Sequence, residues 1–218
     1  MADDERFHPM QQARIIQIKI AVIAIYLIAF SLQANAQFAI SGQLLQRAEY
    51  RNGYGKLIGE NQQPAFFIGQ RARIHVQYAH ERVTFYISAQ DIRTWGSTSQ
   101  VNESDNLLSV HEAYVEIPIG DSWKVKAGRQ ELAYDNARFL GNLDWALQAR
   151  AHDFALVKYE KNAMKFHLGA GYNQVKETLV NQPYTIPNQY KTAQMLRLEN
   201  QWGNFTVSLL FWNNGWPN

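Results

Sequence analysis

Phe66-Phe67-Ile68-Gly69-Gln70-Arg71-Ala72-Arg73-Ile74-His75-Val76-Gln77-Tyr78 decides the fold. Phe66, Ile68, Ala72, Ile74, Val76 and Tyr78 share one side of a two-residue period, and Arg71, Arg73, His75 and Gln77 share the other. That is the period of a strand, because successive side chains leave opposite faces. The run exceeds the roughly five or six residues of an ordinary soluble strand. It is long enough for a tilted strand to cross a bilayer, which takes about 9–11 residues.

The pattern spreads in both directions. Upstream, Phe38, Ile40, Gly42, Leu44, Ala48 and Tyr50 oppose Ser41, Gln43, Arg47, Glu49 and Arg51. Downstream, strands are predicted over 83–94, 107–119, 123–130, 148–159, 164–172, 192–202 and 205–212. The segments 83–94 and 148–159 alternate poorly, and periodicity assigns them no faces.

Between these segments the connections alternate in length. Those at 52–65, 96–106, 131–147 and 173–191 are long; those at 79–82, 120–122, 160–162 and 203–204 are short. Bacterial outer-membrane barrels have this rhythm, with long external loops and tight periplasmic turns. The first connection is long, so the first strand runs outward and every long connection is expected outside the cell. Tyr78, Trp123, Tyr159, Trp202 and Phe205 lie beside short turns, and Phe66, Trp95 and Tyr172 beside long loops. Two aromatic girdles are the expected result.

Composition agrees. The chain has 218 residues, 46% hydrophobic and 13% aromatic, a net charge of +2 and no cysteine. Its mean hydropathy of −0.36 excludes a bundle of membrane helices. No block of Lys and Arg stands out, so nucleic acid is not an expected partner. Ile20 to Phe30 is an unbroken apolar run, preceded by Arg14 and Lys19 and followed by Ala34-Asn35-Ala36. This is the layout of a cleavable signal peptide, predicted over 1–36 and leaving a barrel domain over 37–218. The acidic start Asp3-Asp4-Glu5 is unlike a leader, so Met1 and Met10 both stand as starts.

Three groups of residues in order carry a family resemblance. They are Gln90-Asp91-Ile92-Arg93-Thr94-Trp95-Gly96, then Glu112-Ala113-Tyr114, then Gly128-Arg129-Gln130 with Tyr134, Arg138, Gly141, Asp144-Trp145, Arg150 and Asp153. Over about residues 66–160 the chain resembles the bacterial alginate-export family of outer-membrane proteins. Asp135 and His152 depart from its pattern, where a glycine and a bulkier aromatic are expected. The resemblance implies an eighteen-stranded antiparallel transmembrane β-barrel with an arginine-rich constriction passing an anionic polysaccharide. Nine strands are then half of the barrel, since single-chain bacterial barrels have even strand numbers; a smaller closed barrel is the alternative.

The candidate anion-binding residues are Arg47, Arg51, Arg71 and Arg73 on polar strand faces, and Arg129, Arg138 and Arg150 from the family-like stretch. Guanidinium groups suit carboxylates because they bind them bidentately. Glu49, Glu112, Glu116 and Asp153 are the carboxylates expected to pair with these arginines and orient them. His111 and Glu112 are adjacent, so a regular strand sends them to opposite faces, and they are not expected to meet as a dyad. No zinc spacing, P-loop or nucleophile elbow is present, and neither a metal, a cofactor nor an enzymatic activity is expected. The expected partners are outer-membrane lipid, the barrel-assembly machinery and an anionic sugar. Two other readings remain: a secreted carbohydrate-binding β-sandwich, and a barrel hydrolase acting on the envelope.

Overall fold

A computed structural model describes residues 19, 37–53, 55–101, 107–180 and 182–216. The leader expected over 1–36 lies outside the described residues, Lys19 apart. The chain divides into Met1–Gln37 and Phe38–Asn218, and the strands all lie in the second unit. They are β1 (Phe38–Arg51), β2 (Ala65–His80), β3 (Val83–Thr94), β4 (Leu108–Pro118), β5 (Trp123–Gln130), β6 (His152–Lys161), β7 (Met164–Tyr172), β8 (Thr192–Trp202) and β9 (Phe205–Gly215). Each pairs antiparallel with the next, giving one nine-stranded sheet in sequence order. A sandwich needs a second sheet facing the first, and the described strands form only one.

Opposed residues of an antiparallel pair share a face, so the register carries one face across the whole sheet. Phe38 stands opposite Tyr78, and Arg47 opposite Gly69. Following the ladder, Ile40, Leu44, Ile74, Phe85, Val110, Val157, Leu168, Leu209 and Phe211 all occupy one face. These side chains are solvent-exposed. An apolar face this extensive marks a membrane contact. Its turn-side edge carries touching rings: Phe38 with Tyr78 at 4.7 Å, and Trp123 with Tyr159 at 4.9 Å and with Phe166 at 6.4 Å. The lower girdle read from the sequence is therefore in place.

The opposite, wet face carries the charges, and the two poorly alternating segments become intelligible on it. In β3, Asp91 and Arg93 stand on the apolar face, where they bond each other. In β6, Phe154 and Leu156 point to the wet face and are buried there. The sixth strand also begins at His152, later than expected, because 148–151 belongs to the long connection preceding it.

Candidate functional site

That connection, 131–151, is the main departure from expectation. It folds onto the wet face instead of standing clear of the barrel. Leu132 and Leu140 are buried there against Phe154, Leu156, Ala193 and Met195, with Tyr134 and Trp212 packed beside them. Each buried Leu of such a cluster contributes about 1.5–3 kcal/mol. This is why β6 is apolar on both sides: one side meets lipid and the other meets the connection. Gly69 marks its closest approach to β2, since a Cβ there would collide with the Leu147 side chain.

Arginines hold the connection down. Arg71 has no exposed surface. Its Nη1 donates to the carbonyls of Ala146 (3.1 Å) and Leu147 (3.2 Å), and its Nη2 donates to Asp144 Oδ1 (2.7 Å) and Gln43 Oε1 (2.8 Å). From β1, Arg47 Nη1 donates to the Trp145 carbonyl at 2.9 Å. From β3, Gln90 Nε2 reaches the Gln148 carbonyl at 3.2 Å. From β8, Arg197 Nη2 donates to Asp135 Oδ1 at 2.9 Å, and Arg197 also pairs with Glu199. The Tyr134 hydroxyl meets His167 Nδ1 at 2.9 Å, and His167 Nε2 meets Glu160 at 3.0 Å. Burial pushes the Tyr134 phenol up to about 12. The bond from Arg197 holds the Asp135 carboxyl below its ordinary value, with a further bond from Ser208.

The expected anion-binding set therefore divides. Arg71 and Arg73 are buried beneath the connection and engaged with protein. Arg73 donates to Gln90 Oε1 through Nε (2.9 Å) and Nη2 (2.6 Å), and its Nη1 lies 3.5 Å from Asp144. Arg47 and Arg51 clamp Glu49 at 2.5 and 2.7 Å. Arg51 also lies over the Phe67 ring. Arg129 stands in the ladder row of Ala113 and Asp153, among apolar neighbours, and pairs with Asp153 at 3.1 Å. Arg138 and Arg150 are exposed, and neither guanidinium meets a carboxylate among the described residues. Glu116 pairs with Lys158 (3.1 Å) and Lys124 (3.8 Å), not with an arginine. Arg197 and His167 are sites that sequence reasoning missed, although β8 was delimited and Arg197 alternates within it.

The bulge overturns the opposite-face expectation for His111 and Glu112. Ser88 opposes Glu112, yet Ala89 opposes Val110, so His111 is one residue too many in β4. Such a bulge breaks the alternation locally and re-aims a side chain. Here it leaves both His111 and Glu112 buried. His111 Nε2 lies 2.8 Å from Glu131 Oε1, and the Glu131 amide donates to Glu112 Oε1 at 3.0 Å. Asn142 Nδ2 donates to the other Glu131 oxygen at 2.8 Å. Burial pushes the Glu131 carboxyl up, but its bonds to His111 and Asn142 outweigh that and hold it low.

A cavity of about 440 Å³ opens where the strand ends meet the connections 131–151 and 173–191. Arg129 and Arg150 line it together with Phe139, Tyr190, Trp212 and Trp216. His152 Nδ1 meets the Tyr190 hydroxyl at 2.8 Å, and Trp212 lies edge-on to the Tyr190 ring at 5.6 Å. Burial pushes the Tyr190 phenol up to about 12, which keeps it neutral.

One antiparallel sheet with an apolar face, a ring-lined edge and a charged face bearing a folded connection is the wall of an outer-membrane β-barrel. The alginate export family model matches residues 37–171, and the chain belongs to that family. It is an outer-membrane transport family, and the match covers the folded connection and most of the residues that anchor it. A search of curated proteins returns no match.

Proposed function

We propose that this chain builds the wall and constriction of an outer-membrane channel that passes an anionic polysaccharide. The observation that carries the reading is the cavity that sets Arg150 among the rings of Phe139, Tyr190, Trp212 and Trp216. A guanidinium grips a carboxylate bidentately, and a flat aromatic face offers the apolar surface a sugar ring needs. Arg150 is the group available for this, being exposed and without a carboxylate partner among the described residues. Arg71 and Arg73 act indirectly: they fix the connection that narrows the lumen. The chain is a conduit and not an enzyme. It leaves the cytoplasm with a leader over 1–36, and the barrel-assembly machinery inserts it. Protein recovered from outer membranes should begin at Gln37; a retained leader would count against that route.

The selectivity test uses the outer-membrane protein in a planar bilayer under a salt gradient. An anion-selective reversal potential is expected, because charges at a narrow passage set selectivity. Arg150→Glu should move it toward cations. Lys161→Glu, at the β6–β7 turn, makes the same charge change far from the cavity and should leave it nearly unmoved. Equal shifts, or a cation-selective parent, would overturn the proposal.

A further inference from the structure

The bulge at His111 creates something the transport reading does not use. A ring nitrogen of His111 and one carboxylate oxygen each from Glu112 and Glu131 lie within 4.8 Å of one another. His111 and Glu112 are 4% and 8% exposed. Directly across the ladder from Glu112 is Ser88, on the same face and fully buried. Its Oγ has no hydrogen-bond partner among the described residues. A buried hydroxyl without a partner costs about 1–3 kcal/mol, so this oxygen calls for a ligand.

We propose that His111, Glu112 and Glu131, completed by Ser88, bind a divalent transition-metal ion of the zinc type at the root of the folded connection. An imidazole with two carboxylates is a donor set that zinc accepts. Ligand atoms around a tetrahedral ion sit about 3.3–3.6 Å apart, given bonds of about 2.0–2.2 Å. The three here span at most 4.8 Å, so convergence takes shifts on the order of 1 Å. Charge permits it as well. Two carboxylates neutralise the ion. Arg73 faces the cluster from β2 with Nη1 3.9 Å from Glu131, but Gln90 and Asp144 already engage its guanidinium. Asn142 Nδ2, from the middle of the connection, holds the other Glu131 oxygen in the manner of a ligand-orienting group. The ion ties the bulge of β4 to Glu131, the first residue after β5, and so fixes where the connection leaves the wall.

The test uses protein extracted from outer membranes in detergent, stripped with a chelator and titrated with zinc chloride alone. One tightly bound zinc ion per chain is expected. His111→Gln and Glu112→Gln should each weaken binding at least about tenfold, and Ser88→Ala less. His75, His152 and His167 stay intact in these variants and control for adventitious histidine binding. Zinc bound as tightly by the variants as by the parent overturns the proposal, as does a parent that binds none. A readout on the unaltered protein guards against variants that fail to fold. Zinc K-edge absorption of the loaded parent should show one imidazole among oxygen ligands, and a shell without imidazole overturns it equally. Selectivity is not measured in either experiment, so failure here leaves the transport reading standing.

Discussion

The connections 52–64 and 131–151 look alike in sequence and behave oppositely. Both are long, and both follow strands that run in the same direction, β1 and β5. The first is mostly exposed: Leu57 is 92% open, and Gly59 and Gln62 bond each other locally. The second is stapled to side chains of β1, β2, β3, β7 and β8 and buries Leu132 and Leu140. Length sets neither outcome. A connection folds inward when it carries apolar residues that find a floor and when the wall offers donors for its carbonyls. Here Phe154 and Leu156 supply the floor, and Arg71, Arg47 and Gln90 supply the donors, Arg71 two of the four.

The contrast breaks most sharply at Arg71. Arg71→Ala takes the side-chain donor from the Ala146 and Leu147 carbonyls and leaves Asp144 with Arg73 alone. Asp144 is half-open to solvent and keeps Arg73 at 3.5 Å, so the cost falls mainly on the two carbonyls, at about 1–3 kcal/mol each. Released, the connection should no longer narrow the lumen, so single-channel conductance should rise and thermal stability fall. Gln62→Ala, in the exposed connection, should stay within about 0.5 kcal/mol of the parent and leave conductance alone. Equal conductance in all three proteins would show that 131–151 does not constrict the channel.

Strand positions were legible because alternation is local: each residue reports its own face. Nine strands, their order and the lower girdle follow from that alone. The folded connection was not legible, because its anchors sit on strands far away in sequence, as Arg197 is from Asp135. The same holds for β6, whose apolar wet-face residues read as noise until Leu132 and Leu140 cover them. The bulge left no trace either. No glycine or proline marks His111, and a strict period-two reading sends it to the wrong face. Of the arginines, Arg71 and Arg73 were found on the right face and given the wrong partner, since burial beneath a connection is a tertiary fact. The alternation of long and short connections supported the barrel while misplacing 131–147, because it reports where a connection starts and not where it goes.

The smallest expected effect separates the two ends of the same connection. Asp135 is held low by the Arg197 hydrogen bond. A carboxyl depressed in this way stabilises in full above its ordinary value near 3.8. It loses that contribution as pH falls through the lower, folded value. The other end rests on Arg71, two of whose four bonds go to backbone carbonyls that do not titrate in this range. Acidification from pH 6 to about pH 3 should therefore loosen the connection near Asp135 before it loosens Ala146 and Leu147. Limited proteolysis in detergent, mapped by mass spectrometry, should find the first new cuts at Arg138 or Phe139. Asp135→Asn removes the titrating group but keeps an acceptor, and should show that cutting pattern already at pH 6 with a weaker dependence on pH. Simultaneous opening at both ends in the parent would mean that the connection moves as one rigid body, and that its anchors at β2 and β8 are not independent.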